Sequence, residues 1–215
     1  TSKIHIGGMS ADANFLRNAI TSMTIEEKKL FKTKYQKNET GLIFLFVGQI
    51  VERKGVGLLL QAWRKHHKNH PDDKLLLVGS GNQLNEFRSK YANESSIYLL
   101  GKVEYEIVYK FYAIADIFIL PTIEDNWSLV VPEAMACGLP IATSIYNGCH
   151  PELVHKDENG ITFDPYKEDT LISALDYFHH QDLQAMGKKS IELEKQFNTE
   201  NCARRVYAAL NKSLS

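Results

Sequence analysis

Long apolar runs are missing: none approaches the roughly 18 residues that a membrane-crossing helix needs, and no basic stretch followed by an apolar one opens the chain. Neither a span nor a secretory leader is expected. Cysteine is scarce, and Cys137, Cys149 and Cys202 lack the close paired spacing of a metal knuckle or a redox couple. That excludes a disulfide framework and suits a reducing cytoplasm. An excess of one charge is also missing, because 25 Lys and Arg face 26 Asp and Glu for a net charge of −1. No long-range field argues for nucleic acid or an anionic membrane as the main partner, so any bound anion must be held by local groups. Repeats and low-complexity tracts are absent too. What is present, 44% hydrophobic and 24% charged residues over 215 positions, suits one well-buried domain and is too short for two full ones.

The hydrophobic pattern predicts a sheet of five strands. Short continuous apolar runs occupy Leu42–Val47, Lys74–Val78, Ser96–Leu100, Asp116–Leu120 and Leu139–Thr143. Runs of this kind read as strands buried on both faces. Between them, Gly55–His70 places Val56, Leu59, Leu60 and Trp63 on one face, and Glu104–Ala115 does the same with Ile107, Val108, Phe111 and Ile114. Thr24 followed by Glu27 is a capping box that opens a helix towards Lys37, and from Asp169 onward the chain reads as all-helical. Alternating strand and helix implies an α/β fold: a doubly wound parallel, Rossmann-like sheet in three α/β/α layers, with C-terminal helices. Ligands of such sheets bind at the carboxyl ends of the strands.

The turns at those ends are the candidates for chemistry. Gly48-Gln49 opens the first, and Arg53 and Lys54 stand at its far end where a helix begins, a place where free amides and the dipole favour an anion. Taken alone, the two cations also read as solvated surface charges. The turn is neither a P-loop nor a G-x-G-x-x-G fingerprint. Gly79 and Gly81, in the second turn, allow close backbone approach or simply make a turn. The richest segment runs from Pro121 to Gly138. In it Asp125, beside Glu124, precedes Glu133 by eight positions, and Asn126, Trp127, Ser128 and Leu129 lead into a helix with Pro132 in its first turn. Glu133 sits in an otherwise apolar helix, so its carboxylate needs a compensating partner, either a neighbouring group or the hydroxyls of a ligand.

The order Val47-Gly48, Arg53-Lys54-Gly55, Val78-Gly-Ser-Gly81, Ala115-Asp116, Pro121, Glu133-Ala-Met-Ala-Cys-Gly138, Gly148 and Glu152 resembles the C-terminal domain of glycosyltransferase family 4 over roughly residues 43–160. The resemblance implies the donor-binding half of a GT-B enzyme, a retaining, metal-independent glycosyltransferase without a cofactor, whose donor is a nucleotide-diphosphate sugar, most commonly UDP-linked. Carried over by position, Lys54 holds the diphosphate, Glu133 the ribose hydroxyls, and Asp125 with the amides of Asn126 to Leu129 the sugar and phosphate. Gly48, Gln49, Arg53, Gly79, Gly81 and Glu124 complete the donor site. The lack of an Asp-x-Asp motif agrees with fixed positive charge replacing a cation. Three departures stand out: Gln49 replaces the family's Arg, Asp125 its longer Glu, and Asn126-Trp127-Ser128 its Gly-Phe-Gly. Cys149, His150 and Glu152 fall in the family's cleft-facing loop, with a plain loop role expected for His150. His179 and His180 are expected on a helix surface.

The resemblance also implies partners. Residues 1–23, including the stretch from Lys3 to Met9, read as a lead-in to a domain spanning 24–215, preceded in the whole enzyme by an acceptor domain of the same polypeptide. The fragment alone is then expected to bind donor without turnover. Bacterial surface-polysaccharide and lipid-linked glycan assembly, in the cytoplasm and peripherally at the inner membrane, is the implied setting. The rival reading is a non-catalytic nucleotide- or partner-binding α/β module.

Overall fold

The computed structural model describes residues 9–11, 13–37 and 40–214; of the stretch from Lys3 to Met9 only Met9 lies among them. Six parallel strands form one sheet in the order β3-β2-β1-β4-β5-β6. They are β1 (Ile43–Val47), β2 (Lys74–Val78), β3 (Ile97–Gly101), β4 (Ile117–Leu120), β5 (Ile141–Ser144) and β6 (Gly160–Phe163). The sequence reading missed β6. Gly-Ile-Thr-Phe is short, and only its ends are buried, so no continuous apolar run announces it. It exists because β5 offers it an edge, with Ile141 to Ser144 in register with Gly160 to Phe163.

The helices are α1 (Ala13–Ser22), α2 (Ile25–Lys32), α3 (Val56–Asn69), α4 (Leu84–Lys90), α5 (Tyr105–Ile114), α6 (Val130–Ala136), α7 (His150–Leu153), α8 (Glu168–Tyr177), α9 (Leu183–Glu194) and α10 (Thr199–Leu214). They cover both faces of the sheet: α3 packs with α8, while α1 packs with α5 and α6, α2 with α5, and α6 with α9. The capping box forms, with the Glu27 amide donating to Thr24 Oγ1 at 3.1 Å and the Thr24 amide to Glu27 Oε2 at 2.8 Å. Helix α1 lies inside the segment read as lead-in, and its Leu16 is fully buried in the core.

The core follows from the apolar runs. Phe44, Leu45, Phe46, Leu75, Leu76, Leu77 and Ile117 to Leu120 are completely buried. Trp63 of α3 packs edge-on to Phe44 at 5.4 Å between ring centroids, and its indole donates to Ser96 Oγ at 3.1 Å. Two carboxylates hold the start of β1: the Leu42 amide donates to Asp73 Oδ1 and the Ile43 amide to Asp116 Oδ2, both at 2.8 Å. Asp116, counted in the resemblance, therefore anchors a strand at the amino-terminal end of the sheet.

The strand order decides where a ligand can sit. Chain connections leave in opposite directions from β1 and β4, which are neighbours, so a crevice opens at their carboxyl ends. The turns after these strands carry the residues singled out above.

Candidate functional site

The turns after β1, β2 and β4 are fastened together through their backbones. The Ile50 amide donates to the Ser80 carbonyl at 2.9 Å, and Gly81 backs onto the Ile50 carbonyl. Gly79 has φ +146°, and a Cβ there would lie 1.8 Å from the Gly48 carbonyl oxygen. Gly55 has φ +67°, and its Cβ would lie 2.0 Å from the Pro121 carbonyl oxygen. Both positions need glycine for conformation and for space. On the other side of the crevice, the Arg53 carbonyl accepts from the Ile123 amide at 2.9 Å and the Thr122 hydroxyl at 3.0 Å. The β1 and β4 turns are thus one rigid unit.

Within this frame lies a cavity of about 580 Å³. Val47, Val78, Val103, Val108 and Val130 supply an apolar wall, and Gly48, Gln49, Gly79 and Ser80 form the rim. Lys102, Glu104 and Tyr105 close the side that follows β3, and Glu133 is the acidic group inside. Helix α6 places Glu133 there because Val131, Ala134 and Met135 turn into the core and leave Glu133 on the cavity side. Its volume and its mix of apolar walls with a few polar groups suit a small organic ligand. Burial pushes the Glu133 carboxyl up to about 7, against the opposing effect of the Tyr112 hydroxyl, which donates to Glu133 Oε2 at 3.2 Å. One such hydrogen bond does not replace the lost hydration of a carboxylate.

Lys54 stands apart from this cavity. Its ammonium pairs with Asp125 Oδ2, and both side chains are nearly buried. Ser128 Oγ donates to the same oxygen at 2.5 Å, and the Trp127 amide donates to Asp125 Oδ1 at 3.1 Å. Burial works to raise the Asp125 carboxyl, but the hydrogen bonds from Lys54 and Ser128 outweigh it and hold the group below the usual carboxylate range. The Gly148 amide donates to the Asp125 carbonyl at 2.8 Å, which ties this turn to the loop after β5.

The predicted residues therefore fall into two neighbouring groups. Gly48, Gln49, Gly79 and Glu133 line the cavity, whereas Lys54, Asp125 and Ser128 form a buried polar knot in the adjoining turn. Gln49 is exposed and accepts from Arg53 Nη2 at 3.2 Å, so the two side chains occupy each other. Glu124, Asn126 and Leu129 are exposed on the β4 turn. Trp127 turns its indole to the Met9 carbonyl at 3.1 Å and its ring to Phe197 at 5.9 Å. Cys149 is buried, its thiol pushed up to about 12 by burial, and it donates to Asn147 Oδ1 at 3.2 Å. Lys102 to Tyr105 escaped sequence reasoning, because only the rule that all carboxyl-end turns share one rim points to them.

Comparison with known proteins gives the family. The family model for glycosyl transferases group 1 matches residues 27–198. The chain belongs to that family. This group 1 glycosyl transferase chain is 33% identical over 168 residues to an uncharacterized glycosyltransferase of Haemophilus influenzae, covering 75% of the chain and 46% of the relative. It is 27% identical over 191 residues to the alpha-monoglucosyldiacylglycerol synthase of Acholeplasma laidlawii, covering 87% and 46%. The chain thus spans less than half the length of these curated relatives. Among solved structures, a glycosyltransferase from Rickettsia africae superposes with a TM-score of 0.79 at 19% identity, over 96% of this chain and 56% of that one. HepE of Anabaena, solved with UDP and glucose, gives 0.76 at 16% identity, over 94% and 55%. These likenesses show the GT-B Rossmann-like fold expected from the sequence.

No described helix is long and apolar enough to cross a membrane.

Proposed function

We propose that this chain is the donor-binding half of a retaining, metal-independent glycosyltransferase that takes a nucleotide-diphosphate sugar, with UDP the first base to test. The observation that carries the reading is Glu133: a carboxylate starved of hydration in a cavity of nucleoside size, with apolar walls and a glycine rim. Ribose hydroxyls donating to Glu133 would supply what burial removed. The valines and Tyr105 suit the flat face of a base.

The diphosphate goes to the adjoining turn. An ammonium has three protons, and Asp125 occupies one, so Lys54 is held in place with donors to spare. Fixed positive charge of this kind offsets the charge that grows on a departing diphosphate, the task a cation performs elsewhere. Asp125 with the amides of Asn126 to Leu129 would meet the sugar and its phosphate. No resident cofactor enters the scheme.

The acceptor half is proposed to be a second Rossmann-like domain of the same polypeptide, facing this crevice. Val206, Tyr207 and Leu210 of α10 are more than half exposed, an apolar face that a second domain would cover. The setting, a cytoplasmic enzyme at the inner membrane face, is what the family resemblance implies.

Isothermal titration with UDP, GDP and the corresponding sugars tests the reading. We expect micromolar binding to one of them, weakened at least tenfold, about 1.4 kcal/mol, by Lys54→Ala and by Glu133→Ala. Absence of binding to every nucleoside diphosphate would overturn the donor site and favour a non-catalytic module.

A further inference from the structure

At the opposite end of the sheet, where β1 and β2 begin, three imidazoles and two carboxylates gather. His66 is completely buried, with Nδ1 2.6 Å from Asp176 Oδ1 and Nε2 2.8 Å from Asp73 Oδ2. His70 Nε2 lies 3.4 Å from the same Asp176 oxygen. His179, expected on a helix surface, instead reaches Asp73 Oδ2 with Nε2 at 2.8 Å and stacks on His70 with centroids 3.8 Å apart. The expectation failed because α8 and the turn after it pack on α3, which periodicity alone does not disclose. His180 is exposed as expected.

Hydrogen bonds alone serve this cluster poorly. His66 Nδ1 and His70 Nε2 both converge on Asp176 Oδ1, while His66 Nε2 and His179 Nε2 both converge on Asp73 Oδ2. The His70 ring stacks on both His66 and His179.

We propose that His66 Nδ1, His70 Nε2 and Asp176 Oδ1 bind one divalent transition-metal ion of the zinc class, pinning the end of α3 to α8. One donor atom from each of the three residues lies within 4.8 Å of the others, and Asp176 Oδ1 is 2.6 Å from His66 Nδ1 and 3.4 Å from His70 Nε2. Ligand atoms around tetrahedral zinc stand roughly 3.3 Å apart, so small side-chain rotations close the set. His70 caps the end of α3, its amide donating to the His66 carbonyl at 3.1 Å, and its ring stacks on that of His66 with centroids 4.6 Å apart. Two imidazoles and one carboxylate favour zinc, cobalt or nickel over magnesium or calcium.

The surroundings complete the site. His66 Nε2–H donates to Asp73, whose other oxygen is fixed by the Leu42 amide at 2.8 Å, a carboxylate that orients a metal-bound imidazole. The side chains of His70 and Asp176 are 25% and 36% exposed, which gives an ion its way in and leaves room for a water as fourth ligand. The other grouping, His66, Asp73 and His179, is spent: one Asp73 oxygen already receives both Nε2 atoms and the other the Leu42 amide. The site is independent of the donor cavity.

Titration of ZnCl2 into the protein at pH 7.5, with the visible absorption of added CoCl2 as a second reading, tests the proposal. One ion per chain with micromolar or tighter affinity is expected, together with a higher melting temperature. His70→Ala and Asp176→Asn should each weaken binding at least tenfold, while His179→Ala and the surface control His180→Ala change it less than threefold. Should alanine at 70 unfold the chain, His70→Gln makes the same comparison. No saturable binding of zinc or cobalt, or retained affinity in the His70 and Asp176 variants, would overturn the site. A loss from His179→Ala as large as from His70→Ala would overturn this choice of ligands.

Discussion

Replacing Glu133 by Gln should make the protein more stable and the donor site worse. The folded protein holds the Glu133 carboxyl at about 7 against an ordinary 4.5. A raised value means that between those two pH values the folded state keeps a proton that the unfolded chain has released. Stability from this group is therefore complete below about 4.5 and is lost as pH rises through about 7. At about 1.4 kcal/mol per pH unit the ionised carboxylate costs up to about 3 kcal/mol. Glu133 keeps some solvent contact, and screening trims the figure to about 2 kcal/mol. Glutamine carries no such penalty and still offers Tyr112 a carbonyl. For a chain of this size about 2 kcal/mol corresponds to a melting temperature roughly 4–8 °C higher at pH 7.5 and to no difference near pH 4.5. Nucleotide affinity should move the other way: at least tenfold weaker for Glu133→Gln, and for the parent protein rising with pH towards 7 as the carboxylate forms. Thermal melts across this pH range and calorimetry with UDP and GDP read both signs. A variant that melts no higher than the parent at pH 7.5, or binds nucleotide as well, would refute a desolvated carboxylate waiting for hydroxyl donors.

Lys54→Met should destabilise the fold by about 3 kcal/mol in urea at pH 7, because it strands Asp125 in a buried turn, and Lys54→Met/Asp125→Leu should recover much of that loss. Since Asp125 is held below its ordinary range, the parent protein keeps this stabilisation above pH 4 and loses it on acidification; that acid sensitivity should shrink in Lys54→Met. Gly79→Ala should lower stability by about 3 kcal/mol and abolish nucleotide binding, since the new methyl group collides with the Gly48 carbonyl. Leu16→Ala, in α1, should lower stability by about 3 kcal/mol if residues 13–22 belong to the folded domain; a change under about 0.5 kcal/mol in denaturant melts would make them a loose lead-in.

The pattern of continuous apolar runs ending in glycine or proline was enough to specify five of the strands, their parallel arrangement and the turns that border the cavity. Strands buried on both faces have no other composition open to them, and turns at their carboxyl ends must be permissive of close approach. Glu133 was legible for a related reason, being a carboxylate in a helix whose other residues had to face the core. Tertiary packing decided the rest. Strand β6 pairs only because β5 leaves an edge, and α1 is ordered by the groove between α5 and α6. Lys54 and Asp125 are 71 positions apart and meet because β1 and β4 are neighbours. His66 and Asp176, 110 apart, meet because α3 packs on α8. Local sequence sets what each segment can form, through propensity and burial. Which distant charges share a low-dielectric space depends on the strand order, and no single stretch of chain encodes that.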